Sequence, residues 1–470
     1  MRRALLAFCL VIVSLSPLRP SAASGDTYLV GAATRNIDPT GVINLGGFGL
    51  GDGTVIPDAV AGRGNRGSHV AGGDSIAARA IVFDDGTTAV ALVSVETQGM
   101  FAAYERSGKW GLHDIEARVA HDIPRLPISN VVISNDHTHS GPDAIGAWGF
   151  LPDSYMDYIA DQTAGAIEDA YAARTQATLV AGASSAPDIV YNQNCTEALN
   201  QSGNTGAPND VCNPGLNIKD SLVRVIQARD ASGAVTATLM SYGAHSTLGG
   251  GNGVAGDWPQ YISDALTARY HSVGIGMEGT NGGVQPCRPR CGFTDPNQPG
   301  YAIGDRKSAY TTMLMAHIDD ALAHAVPVTG PVSASKAFIR HEVENPFLTA
   351  LLLDGGAVGA PIQRSTKSPW LTGNVVQTVV SAIRIGSVLV SGSPGETYPN
   401  IAADVAAASG VDPSLHWTLS LTDDQLGYLI AHTESYPPVL AEVYVNDNSI
   451  FNVSPTIGDH VMCTQVRLAA

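Results

Sequence analysis

The sequence predicts an α/β fold in which mixed β-sheets are flanked by helices and functional residues stand at strand ends. Three observations carry that prediction. Short apolar runs rich in β-branched residues alternate with longer amphipathic stretches. Gly- and Pro-rich turns terminate many of the runs. A histidine or an acid follows three of them, namely His137, His245 and Glu396. In an open α/β sheet the strand ends along one edge are where residues far apart in sequence meet.

Residues 28–33 read as a strand leading into the Gly-rich loop Leu45-Gly46-Gly47-Phe48-Gly49, where backbones or a ligand approach closely. This loop lacks the spacing of a dinucleotide or P-loop fingerprint, so it carries no phosphate role. Residues 78–84 and 89–95 form two strands around the hairpin signal Asp85-Gly86, and Glu96 follows the second. Residues 111–123 are helical, with Ile115, Val119 and Ile123 on one side. Val131, Val132 and Ile133 form a buried strand that ends at Asn135-Asp136-His137-Thr138-His139-Ser140-Gly141-Pro142. Side chains two apart in an extended segment point the same way, so His137 and His139 are expected to face one site.

A helix over 155–174 places Tyr155, Ile159, Ala166, Ile167 and Ala170 on one stripe, and a strand over 178–183 follows. Residues 190–217 form a polar loop. Strands at 222–228 and 235–242 flank Ser232-Gly233, and the second ends at Gly243-Ala244-His245. The loop ending at Asp257-Trp258-Pro259 leads into a helix over 261–270, and Asp257 is a candidate to orient a ligand. Ile275 to Glu278 precede Thr280-Asn281-Gly282-Gly283, and 305–325 is another amphipathic helix. Strands at 375–384 and 387–391 end at Pro394-Gly395-Glu396, ahead of a further helix and of Leu426-Gly427-Tyr428.

Arg2 and Arg3, the apolar stretch from Ala4 to Leu15 and the small residues Ser21-Ala22-Ala23 predict a signal peptide over 1–23, with the mature chain running over 24–470. The chain is therefore expected to be secreted or periplasmic. No stretch is long enough for an integral membrane segment. Removing the signal takes away three arginines and no acid, which moves the formal net charge from −17 to −20. Such an acidic charge argues against nucleic acid and against electrostatic docking on anionic lipid. The low charged fraction of 15%, the 51 glycines and the lack of any linker tract point to a single large catalytic domain. In an oxidising compartment Cys195 with Cys212 and Cys287 with Cys291 are the local disulfide pairings, with Cys463 left over; the sequence leaves connectivity and oligomeric state open.

Imidazole suits zinc, copper, iron or nickel. Two histidines and a carboxylate with one position open to water make a catalytic zinc (Zn2+) site, suited to amide or ester hydrolysis. No Gly-x-Ser-x-Gly elbow supports a serine hydrolase.

His137-Thr138-His139-Ser140-Gly141-Pro142 matches the hallmark of the neutral (non-lysosomal) ceramidase family, which the chain resembles from Tyr28 to about His460. Gly46-Gly47-Phe48-Gly49 resembles that family's early Gly-Tyr-Gly turn, and Ala77 to Val82 its Arg-Ala-Arg-Ala-Phe strand. Thr280-Asn281-Gly282-Gly283-Val284 is similar to a Ser-Asn-x-Gly-Asp-Val stretch. Pro394-Gly395-Glu396 and Gly427-Tyr428-Leu429 match two later motifs. The family's members are secreted or membrane-associated zinc amidases that cleave the N-acyl bond of ceramide.

The resemblance implies His137, His245, Glu396 and Tyr428 as zinc ligands. It implies His139 as the group beside them that holds substrate or a proton, and Thr280 as a substrate contact. The departures are local. Asn192-Gln193-Asn194 stands where the family has Asn-Arg-Ser, Thr280 replaces Ser, and the following Asp is missing. Asp143 to Trp148 replaces a Gly-Gly run, as in a bacterial ceramidase-like branch, and Tyr436 and Tyr444 are both candidates for a second late tyrosine. The family's C-terminal immunoglobulin-like domain is expected to be absent. The implied function is a zinc-dependent amidohydrolase acting on a small N-acyl or lipid-like substrate. The alternatives are a zinc esterase, lactonase or amidase on another substrate, or a non-catalytic zinc-stabilised binding protein.

Overall fold

Alternation along each central strand decides the architecture, because every one of them has apolar residues on both faces. The computed structural model describes residues 27–47, 67–68, 74–146, 151–192, 219–248, 253–286, 303–346, 371–372, 374–432 and 451–470. The expected signal peptide, Phe48, Gly49, Trp148, Gln193, Asn194, Cys195, Cys212, Cys287, Cys291, Tyr436 and Tyr444 lie outside these residues. Cys463 is half-buried near the end of the chain.

Eight strands form the path of the larger sheet: β1 (Tyr28–Asn36), β2 (Ala77–Asp84), β3 (Ala89–Val95), β4 (Val131–Asn135), β5 (Thr175–Ser185), β6 (Leu222–Arg229), β7 (Val235–Tyr242) and β8 (Val273–Glu278). Their spatial order is β8-β7-β6-β5-β1-β2-β3-β4, and a short ninth strand, Val326–Pro327, pairs with β5. Only β3–β4 and β7–β8 are parallel pairs in this sheet. Each needs a crossover helix, and these are α1 (Leu112–Asp122) between β3 and β4 and α3 (Asp257–Tyr270) between β7 and β8. Two further helices, α2 (Asp153–Ala172) and α4 (Ile303–Ala323), cover the same face.

On β2, Ala78, Ala80 and Val82 pack toward α1 and α2, whereas Ile81 and Phe83 face the opposite side. That opposite side meets a second sheet. It is built from β9 (Val332–Glu342), β10 (Val375–Ile385), β11 (Val388–Gly392) and β13 (His416–Leu419), with β11 and β13 parallel, and a fifth, two-residue strand, Leu371–Thr372, pairs with β10. Ile383, Val388, Val390, Trp417 and Leu419 fill the space between the sheets. A two-residue strand, β12 (Glu396–Thr397), pairs in parallel with β14 (Tyr428–Leu429). Helices α5 (Pro399–Ser409) and α6 (Ile457–Ala469) close the outer face of the second sheet through Ile401, Ile457 and Val461. The result is a four-layer α/β/β/α arrangement, the α/β class with helix-flanked mixed sheets that the sequence predicts.

One expected boundary shifts, and three elements were not expected. The 261–270 helix begins four residues earlier, because Pro259 is tolerated in a first turn, where its missing N–H has no helical acceptor. Asp257 there adopts φ +57 and accepts the Trp258 and Leu248 amides. Strand β9 was not expected from the sequence, since its exposed face is polar, nor were β13 and the amphipathic α6.

The larger sheet coils until its two edges approach. Ser94 on β3 donates to the main-chain oxygen of Gly276 on β8 at 3.3 Å, although the two strands are far apart in the sheet order. This curvature brings the C-terminal ends of β4 and β7 together.

Candidate metal centre

His137 leaves the end of β4 in a left-handed conformation, φ +52. A non-glycine residue there costs on the order of 1 kcal/mol or more. The surrounding hydrogen bonds hold it: Asp136 N–H donates to Val95 O, and the His139 N–H donates to Ser246 O at 3.1 Å. The two histidines therefore do converge, but through this tight turn and not by strand alternation, because β4 ends at Asn135.

His137, His139 and His245 offer nitrogens that all lie within 4.8 Å of one another. The ring centroids of His137 and His245 are 5.2 Å apart, and those of His137 and His139 are 4.9 Å apart. His137 and His245 are buried, while His139 is partly open.

The tautomers follow from the partners. His137 Nδ1 lies 2.8 Å from the main-chain oxygen of Gln98, and His245 Nδ1 lies 2.6 Å from that of Asn281. A carbonyl oxygen only accepts, so each Nδ1 carries the proton and each Nε2 presents a lone pair. Those lone pairs face other electron-rich atoms. His245 Nε2 is 2.9 Å from Glu396 Oε2, which in turn is 3.4 Å from His137 Nε2. His139 Nε2 is 3.4 Å from His137 Nε2, and the Tyr428 hydroxyl is 3.3 Å from His245 Nε2.

Lone pairs gathered this closely can hold a cation among them. Ligands about 2.0–2.1 Å from a tetrahedral zinc ion stand about 3.3 Å apart, and the spacings of 2.9–3.4 Å fit that arrangement. Carbonyl oxygens on the remote ring nitrogens are the partners that orient metal-bound imidazoles. The residues present therefore fit a transition-metal ion.

A proton competes for the same lone pairs, since metal binding needs the neutral imidazole. Burial opposes a charged His137, but the charge of Glu396 and its hydrogen bond outweigh that and push the pKa up to about 9. Burial likewise opposes the Glu396 carboxylate, yet His137 and His245 hold its pKa below the usual carboxylate range. Nearby, burial raises the Glu278 carboxyl to about 8 against the charge of His137, and lifts Asp136 well above its ordinary value.

The sequence motifs meet at this centre. Gly46 N–H donates to Gly141 O at 3.1 Å. Gly47, at φ +96, lies flat against His139, where an added Cβ would come within 2.2 Å of the ring. Gly282 N–H donates to Thr397 O, and Glu396 N–H donates to Gly427 O at 2.8 Å. Thus His137, His139, His245, Glu396 and Tyr428 come together at one place.

Thr280 makes no hydrogen bond to any of them. It is fully buried, its Oγ1 makes no hydrogen bond, and an added Cβ on Gly243 would come within 2.9 Å of that oxygen. Asp257 holds the loop after His245 through Leu248, and the group on His245 Nδ1 is the Asn281 carbonyl. Gln98 and Asn281 act through main-chain oxygens, which no residue type announces. Glu278 was legible in principle: it ends β8, much as His137 follows the end of β4. A cavity of about 660 Å3 lined in part by Arg224, Ala402, Ala406 and His416 contains none of the converging groups.

No family model matches the chain, and no curated protein does. Among solved structures, neutral ceramidase from Pseudomonas aeruginosa is similar with a TM-score of 0.71 at 17% identity, covering 96% of this chain and 74% of that one. A ceramidase complexed with C2 is similar with a TM-score of 0.68 at 17% identity, covering 94% of this chain and 74% of that one. The chain thus has the fold of the neutral ceramidase structures, as its motifs suggest.

Proposed function

We propose that this protein is a secreted zinc-dependent amidohydrolase that cleaves an N-acyl, ceramide-like amide bond. The observation that carries the reading is the convergence of the His137 and His245 lone pairs on the Glu396 carboxylate, each imidazole oriented by a main-chain oxygen. The fold shared with ceramidase structures supports the amide as the bond attacked. His137, His245, Glu396 and Tyr428 would hold the zinc ion. When bound, zinc supplies the Lewis acidity that brings the pKa of water down to about 7 and polarises a carbonyl oxygen.

The chain's own groups do the rest. Nδ1–H bonds to Gln98 and Asn281 keep His137 and His245 from swinging away. Glu396 balances positive charge at the centre. His139 and Tyr428 are the partly open members of the group, so they face an incoming substrate. His139 takes the proton from the attacking water and returns it to the leaving nitrogen, the role an imidazole performs best near neutral pH. Tyr428 supplies an oxygen whose phenolic pKa a nearby cation lowers.

The test is hydrolysis of a fluorogenic panel of N-acyl amides of graded chain length, with matched esters, by wild type and His137→Ala. Amide turnover that disappears in the variant supports the proposal. Turnover of esters alone would move the assignment to a zinc esterase or lactonase. A zinc-loaded protein inert on the whole panel would make it a binding protein.

A further inference from the structure

A single carboxyl group fastens both segments that aim His245. Asn281 supplies the carbonyl that accepts the His245 Nδ1–H at 2.6 Å, and its own side-chain amide donates to Glu278 Oε2 at 2.7 Å. The other oxygen, Glu278 Oε1, accepts the Ser246 hydroxyl at 2.7 Å. Ser246 directly follows His245, and its main-chain oxygen accepts the His139 N–H at 3.1 Å. Glu278 therefore lies between the loop that carries the imidazole and the loop that orients it, and it reaches His139 one bond further on.

Glu278 is fully buried at the end of β8. Burying an acid is costly unless its oxygens are satisfied. Here each oxygen is used, and each partner belongs to the scaffold of one imidazole. We infer that Glu278 is a positioning residue of the metal centre: it locks the His245 and Asn281 loops in register and so fixes the direction of the His245 Nε2 lone pair. This inference rests on the metal-binding part of the proposed function and adds a residue that touches neither metal nor substrate.

Zinc and cobalt affinities, measured by chelator competition on purified full-length protein, test it together with the visible absorption of the cobalt form. Glu278→Ala should weaken metal binding about tenfold to a hundredfold, the usual cost of losing an outer partner of a ligand. Ser246→Ala removes one arm with little change of volume and should weaken binding about tenfold. Glu278→Gln can accept from Asn281 and donate to the Ser246 hydroxyl, so it should stay within about threefold of wild type with an unchanged cobalt spectrum.

Thermal unfolding of the metal-free proteins separates this from a purely structural role, which would lower the unfolding temperature without changing affinity or spectrum. If Glu278→Ala does not fold, the comparison of Ser246→Ala with Glu278→Gln decides. Wild-type affinity in Ser246→Ala, or a loss in Glu278→Gln as large as in Ser246→Ala, overturns the inference while leaving the proposed function intact. A wild-type protein that binds neither metal overturns both.

Discussion

His245 donates its Nδ1 proton to the main-chain oxygen of Asn281 at 2.6 Å, and this bond fixes what the other side of the ring can do. With Nδ1 protonated, Nε2 is left as a lone pair 2.9 Å from Glu396. Removing either ring should therefore empty the centre. His245→Ala and His137→Ala are each expected to lower metal affinity by at least about a hundredfold, beyond the usual effect of changing an outer partner. Metal content after dialysis against a weak chelator reads this directly, and retention of metal by both variants would contradict it.

His139 should separate from the other two histidines in its phenotype. Its Nε2 points into the same group, 3.4 Å from His137 Nε2, yet its ring is partly open. His139→Gln is expected to keep bound metal and to lose about a hundredfold to ten-thousandfold in kcat, the range for a lost proton-transfer group. Loss of metal together with activity would instead make His139 a ligand.

Gly47→Ala should damage the site from outside it. An added Cβ meets the His139 ring at 2.2 Å, and the backbone there has φ +96. Gly86 is a control with φ +88 and open space around it. Both variants carry the backbone penalty of about 1–2 kcal/mol, but only Gly47→Ala is expected to reduce activity. Equal activity in the two would show that Gly47 serves the turn alone.

The strand ends that carry the site were legible because apolar β-branched runs stop abruptly at polar residues. His137, His245 and Glu396 stand out in that pattern, and the elements leading to them match the observed strands within a few residues. The coil of the large sheet was not legible, because it is the sum of twists over many strands. Nor were the carbonyl partners Gln98 and Asn281, since any residue can present a main-chain oxygen. The polar outer face of β9 hid that strand, and its most telling residue, Lys336, looks like a surface lysine in the sequence.

Lys336 is in fact buried between Glu116 at 2.8 Å and Asp423 at 3.1 Å, and it ties β9 to α1. Lys336→Met leaves two acids without their cation and should cost about 3–5 kcal/mol. Arg118→Ala breaks an exposed pair with Asp161 and should cost about 0–1 kcal/mol. Urea unfolding compares them, and similar midpoints would contradict the account.

His416 should make stability fall in acid. Burial, helped by the charge of Arg224, pushes its pKa down to about 4. An unfolded histidine titrates near about 6.5, so the unfolded chain takes up the proton first. The stabilisation is complete above that pH and is lost as pH falls toward about 4, on the order of 3 kcal/mol. Unfolding midpoints of wild type should drop more steeply over that window than those of His416→Gln. Parallel curves would contradict this assignment.

Metal binding by the imidazoles and Glu396 underlies the proposed chemistry. The most direct measurement is zinc titration of the metal-free protein, followed by calorimetry and checked by elemental analysis. One tightly bound zinc ion per chain is expected in wild type, with its loss in His137→Ala. A wild-type protein that takes up no zinc, or a His137→Ala variant that binds it equally well, would contradict it.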